Sequence, residues 1–269
     1  MAMKQIEVEG VRIAFHDVGT GVPVLLLHGF PLTSESFRPQ LDGLAGRCRL
    51  IAPDHRGFGQ SGPAAEVTEM SRIARDALAV LDSLGIRRAV VGGVSMGGYA
   101  AMAMLREDAG RVAGLILIDT QAAADDEAGK ARRADTAKAI AARGTQALVD
   151  AMLGKLVAGD CDPAVRARVE AMIRAQSPEG CIAAVRGMAL RPESHDVLSR
   201  FAGPSLVAVG EQDAITPPAK AQELAKLLQG SKLVEIPRAG HLSNLEQPAA
   251  FNAAAEAFLS SLPASLSNG

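Results

Sequence analysis

The chain has 269 residues, 48% of them hydrophobic and 22% charged, and its formal net charge is −2. That composition excludes a disordered chain, and the near-neutral balance removes any general electrostatic drive toward nucleic acid or an anionic membrane. Three cysteines without paired spacing suggest neither a disulfide framework nor a zinc site, and the absence of Trp with a single Tyr argues against an aromatic stacking surface.

The amino terminus runs directly into charged, strand-like sequence with no apolar signal core. No apolar run approaches the roughly 20 residues needed to span a bilayer. The expectation is a cytoplasmic protein.

QIEV and VRIAFHDV flank a Glu9-Gly10 turn and read as an N-terminal antiparallel hairpin. VPVLLLHG is apolar on both faces, as a strand inside a sheet should be. RLIAPD, RAVVGGVS, AGLILIDT, SLVAVGEQD and KLVEIP repeat that pattern. Helical segments lie between them. EMSRIARDALAVLDSLG sets Met70, Ile73, Ala77, Val80, Leu81 and Leu84 on one face, with Gly85 as its stop. PPAKAQELAKLLQG starts with Pro and ends with Gly, and AAFNAAAEAFLSSL is amphipathic.

This alternation implies an α/β fold: a mostly parallel sheet with helices on both faces. It breaks once, after the sixth strand. From Gln121 to Ser199 the chain is rich in Ala, Arg and Asp at helical spacing, interrupted at Pro163, Pro178 and Pro192. The expectation is a helical cap over 121–199, inserted into a core formed by 1–120 and 200–269. A loose tail is expected from about Pro263.

Gly93-Val94-Ser95-Met96-Gly97 sits between an expected strand and the expected helix MGGYAAMAMLRED. A serine on so sharp a turn is strained, and the flanking glycines remove clashing Cβ atoms. Its hydroxyl then lies at a helix N-terminus, where amides and the dipole favour a developing anion. A phosphate loop would need Gly-Lys-Ser/Thr, which is absent.

A serine hydroxyl needs a base. Among the five histidines, His241 lies in a loop between the last strand and the last helix, at the carboxyl edge of the sheet. His28 and His55 also follow strands, but His55 belongs to the turn HRGFGQSG; His16 and His195 sit in less suitable places. An acid should orient the base. Asp213, at the end of the preceding strand, is preferred; Asp119 ends a different strand and could serve from there. Asp54 is expected to brace the turn around Arg56 and Gly57.

Taken together, HGFPLTSESF, DHRGFGQSG, GGVSMGGYA, GEQDAITP and GHLSNLEQP, in this order, resemble the α/β-hydrolase family over nearly the whole chain. Ser95, Asp213 and His241 follow that family's order of nucleophile, acid and base. The resemblance implies that His28, Gly29 and Phe30 form the oxyanion loop, with the backbone amides of Phe30 and Met96 as its donors. The wording looks most like small capped esterases, enol-lactone hydrolases and cofactor-free haloperoxidase-type enzymes. Hydrolysis of small or medium acyl esters leads, with lactone hydrolysis and perhydrolysis as alternatives and no cofactor or metal required. Epoxide hydrolases and haloalkane dehalogenases are disfavoured, since they carry Asp at the position of Ser95. A non-catalytic protein that binds small ligands is the alternative of another class. The cap would roof the pocket. Leu148, Met152, Leu153, Leu156, Met172, Ile173 and Met188 suit roof or core equally; Arg186 and Arg191 could meet an acidic substrate, but solvated surface is the preferred reading.

Overall fold

The computed structural model describes residues 3–262; the expected tail from Pro263 lies outside the described residues. In chain order the elements are β1 (Lys4–Val8), β2 (Val11–Val18), β3 (Pro23–Leu27), a 3-10 turn (Ser34–Phe37), α1 (Arg38–Gly43) and β4 (Arg49–Pro53). Next come α2 (Met70–Ser83), β5 (Ala89–Val94), α3 (Met96–Glu107) and β6 (Val112–Ile118). Five helices follow: α4 (Glu127–Arg143), α5 (Gln146–Leu156), α6 (Pro163–Arg174), α7 (Pro178–Ala189) and α8 (His195–Arg200). The chain then completes β7 (Ser205–Gly210), α9 (Pro218–Leu227), β8 (Lys232–Ile236), α10 (Ser243–Glu246) and α11 (Pro248–Ser260).

The strands form one eight-stranded sheet in the order β1-β2-β4-β3-β5-β6-β7-β8. β2 runs antiparallel to both β1 and β4; every other pairing is parallel. β3, β5, β6 and β7 are buried along their whole length, so both faces are covered and alternation disappears. β8 departs from expectation. It has a neighbour on one side only, and Lys232 and Leu233 are exposed, Leu233 at 42%. An apolar run at the sheet edge thus mimics an interior strand.

Helices pack around the sheet, with α2 against α3 and α1 against α11. In α2 the residues Met70, Ile73, Ala77, Val80 and Leu81 are buried at the expected spacing, and Gly85 leaves the helix at φ 69°. Between β6 and β7 the backbone is helix and loop only. Pro163 and Pro178 take the first positions of α6 and α7, where a missing N–H costs nothing. α8 runs to Arg200, one residue past the expected boundary. No helix among the described residues is long and apolar enough to cross a membrane.

Candidate active site

Parallel strands deliver their carboxyl ends to one edge of the sheet, and the sequence-predicted residues gather there. Ser95 connects β5 to α3 with φ 52° and ψ −113°, a backbone state that costs a non-glycine residue on the order of 1–3 kcal/mol. Neighbouring strands hold it. The Ser95 amide donates to Ile118 O at 2.9 Å, and Thr120 Oγ1 donates to Ser95 O at 2.9 Å. A Cβ on Gly97 would sit 1.8 Å from the carbonyl oxygen of Leu27, so the helix meets β3 backbone to backbone. The Ser95 side chain is partly exposed, and its hydroxyl has no hydrogen-bond partner among the described residues.

The loop after β3 lies against this turn: a Cβ on Gly29 would be 3.5 Å from Ser95 Cβ. His28 and His55 fix its shape. His55 N donates to His28 Nε2 at 3.0 Å, which assigns the proton to Nδ1 and lets that atom donate to Gly29 O at 3.0 Å. His55 Nε2 donates to His28 O at 3.1 Å, and the rings stack 3.8 Å apart. Burial pushes the His28 imidazole down to about 4, so it stays a neutral structural group. Asp54 accepts from the Gln60 amide at 2.8 Å, bracing the turn it was expected to brace, and also from the Ser34 amide and hydroxyl at 2.9 and 2.7 Å, which ties in the loop after β3. The amides of Phe30 and Met96 donate to no acceptor among the described residues, although both residues are buried. Met96 opens α3, where a backbone amide has no acceptor within the helix.

Asp213 and His241 stand after the ends of β7 and β8. His241 Nδ1 donates to Asp213 Oδ2 at 2.8 Å, with side chains 1% and 0% exposed. Asp213 is itself held by the amides of Ile215 and Thr216, at 2.8 and 2.9 Å, and by Thr216 Oγ1 at 2.8 Å. Burial presses the Asp213 carboxyl upward, but the bonds from His241 and Thr216 outweigh it and hold the group below its usual range. For His241, burial pushes the pKa down. The bond and charge of Asp213, with the carboxylates of Asp119 and Glu246, outweigh that and raise it above its ordinary 6.5. With Nδ1 committed to Asp213, Nε2 is left without a protein partner among the described residues.

Asp119, the other acid considered, does not bond to the imidazole. Its Oδ1 accepts from Gly210 N at 2.8 Å, and its Oδ2 from the amide and hydroxyl of Ser243 at 3.0 and 2.7 Å. It therefore ties the end of β6 to the end of β7 and to the loop that bears His241. Burial pushes its carboxyl up to about 7. His16 meets Glu35 at 3.1 Å and His195 meets Glu223 at 2.7 Å, each in pairs separate from Asp213 and His241.

A cleft of about 380 Å³ is lined by Phe30, Tyr99, Gln121, Asp125, Met152 and Thr216 among others, and it borders the site through Phe30 and Thr216. Of the seven apolar residues that suited roof or core, Met152 alone reaches it. Leu148, Leu156, Ile173 and Met188 are core. Arg186 is at the surface, bridged to Glu66 at 3.2 Å. Arg191 corrects the expectation: it is buried, bonded to Asp125 at 2.9 Å, and stacked 4.0 Å over the Tyr99 ring. Its charge is spent on holding Tyr99 and Asp125 at the cleft wall. Two residues of the site escaped the sequence reading. Thr216 was legible in principle, since an Asp whose carboxylate caps amides two and three residues on is a local pattern. Tyr99 was not, because one aromatic on a helix carries no sign of what it faces.

A family model of the alpha/beta hydrolase fold matches residues 22–248. The chain is 30% identical over 262 residues to the AB hydrolase superfamily protein YisY of Bacillus subtilis strain 168, covering 91% of this chain and 94% of that protein. It is also similar to the solved thermophilic esterase from Thermogutta terrifontis, described as malate bound, at 38% identity and a TM-score of 0.94, covering 97% and 99% of the two chains. The enol-lactonase from Burkholderia xenovorans LB400 superposes with a TM-score of 0.88 at 26% identity, covering 96% and 100%. With its sheet order, its serine turn and a matched region that spans most of its length, the chain belongs to the α/β-hydrolase fold family.

Proposed function

We propose that this hydrolase cleaves carboxylic esters of small or medium acyl groups through an acyl-enzyme on Ser95. The observation that carries the reading is the buried 2.8 Å bond between His241 Nδ1 and Asp213, which leaves Nε2 free on the same sheet edge as the strained Ser95. In this reading Nε2 accepts the Ser95 proton as Oγ attacks the acyl carbon. Asp213 holds the imidazole in the required tautomer and stabilises the imidazolium. The carbonyl oxygen becomes an oxyanion and takes the free amides of Phe30 and Met96, each worth about 3 kcal/mol in the transition state. The imidazolium then protonates the departing alcohol. Water, deprotonated by the same Nε2, attacks the acyl-enzyme; the acid leaves and Ser95 regains its proton.

Lactone hydrolysis is the second reading, favoured by the similarity to the Burkholderia enol-lactonase. The bonds broken are the same, but the alcohol stays tethered to the acid. Turnover of p-nitrophenyl acetate and butyrate against a lactone panel tests both. A folded sample that turns over neither class overturns the proposal in favour of simple ligand binding.

A further inference from the structure

The motif GHLSNLEQP holds one half-buried acid for which the proposed chemistry has no use. Glu246 closes α10, five residues beyond His241 in the sequence. Its Oε1 accepts from the Gly240 amide at 2.8 Å, and its Oε2 accepts from the Ala158 amide at 2.8 Å. Gly240 is the immediate neighbour of His241. Ala158 belongs to the turn between α5 and α6, where it is buried with Val157. One carboxylate therefore joins the loop of the imidazole to the helical segment between β6 and β7.

The two backbones also touch. A Cβ on Gly240 would come within 2.6 Å of Ala158 N and 2.8 Å of Val157 C, so glycine is needed for the approach that lets both amides reach one carboxylate. The turn is anchored from its own side. Ala158 O accepts from Arg166 Nη2 at 3.0 Å and from Cys161 N at 3.1 Å. On the opposite flank of His241, Ser243 is fixed by Asp119. The imidazole thus hangs from a loop pinned on one flank by the buried Asp119 and on the other by the half-buried Glu246.

We propose that Glu246 is a positioning residue for His241, locking the base loop to the Val157–Ala158 turn so that imidazole and helical segment keep a single relative placement. This inference rests on the assignment of His241 as the base. The groups facing the imidazole are Asp213, Asp119 and Glu246. Those around Glu246 include the Cys161 thiol and, along the hollow they share, Asp160, Asp162 and Arg238. While ionised, Glu246 also favours the imidazolium, so its loss must be legible in the titration of His241 as well as in the rate.

Glu246→Gln keeps the shape, removes the charge and leaves one amide without an acceptor. The expected result is a fall in kcat of about tenfold or more with KM little changed, because the substrate cleft is elsewhere but the proton acceptor is displaced. In NMR of histidine-labelled protein, the His241 titration should move to lower pH. Glu246→Asp restores the charge without the reach to both amides: the titration should return toward wild type while kcat stays low. A Gln variant with wild-type kcat and an unmoved His241 titration overturns the proposal. So does an Asp variant with full kcat, or a Gln variant whose only change is a lower melting temperature. The NMR arm does not need turnover, so a wild-type protein inert toward both esters and lactones would refute the hydrolytic reading without touching the Glu246 result.

Discussion

Asp119 and Ser243 lie 124 positions apart, yet one carboxylate oxygen of the first accepts both the amide and the hydroxyl of the second, at 3.0 and 2.7 Å. The bond crosses from the end of β6 to the helix that follows His241. The acid that does not bond the imidazole is thus bonded to the loop that carries His241.

Asp119 titrates in the sense opposite to a paired surface carboxylate. Its folded pKa is raised from 3.8 to about 7, so the native state holds its proton longer than the unfolded chain does. Its contribution to stability is present at low pH and is lost as pH rises from about 4 to about 7. Asp119→Asn should remove that decline. The difference in melting temperature between variant and wild type, followed over this window, should shift in the variant's favour as pH rises; a flat difference rejects the argument.

Ser95→Ala should leave the melting temperature close to that of wild type, since the side chain makes no hydrogen bond. Ester turnover should fall by roughly four orders of magnitude or more, because the nucleophile is gone. Mass spectrometry after treatment with an organophosphonate checks the same point: the wild type should gain one adduct and the Ala variant none.

The acid limb of kcat/KM should lie above the ordinary imidazole value of 6.5. His241 must be neutral to accept a proton, and its carboxylate neighbours raise the pH at which it becomes so. Asp213→Asn removes the strongest of those neighbours. The limb should move downward in pH and kcat should drop by on the order of 10⁴, since Nδ1 loses the acceptor that sets the tautomer. An unmoved limb in the variant argues against the pairing.

Gly97→Ala drives a methyl group into the carbonyls of Leu27 and His28, at 1.8 and 2.9 Å. Backbone on both sides gives little room to relax. Denaturant unfolding should show a loss of about 3 kcal/mol. Turnover should suffer beyond the stability loss, because the displaced strand end carries the oxyanion loop.

Local physics made much of this protein legible. Val24 to Leu27 and Ala113 to Ile118 read as interior strands because a chain buried on both faces has no polar side to show. Met70 to Leu84 read as a helix from its apolar stripe, and Ser95 was marked by glycines that only a tight turn requires. KLVEIP was misread by the same logic: hydrophobicity reports how apolar a strand is, and its rank in the sheet is a global property.

What the sequence determined alone was the order of elements, the serine turn and the short list of acids and bases that such a serine could use. It left the choice between Asp213 and Asp119 to preference, hid the burial of Arg191 and gave Glu246 no role. Tertiary structure supplied the partners: Asp213 for His241 across 28 positions, Ala123 for Arg191 across 68, Ala158 for Glu246 across 88 and Asp119 for Ser243 across 124. A side chain's chemistry is written in its own residue, whereas its desolvation, its partner and its direction are supplied by neighbours that only the folded sheet edge brings together.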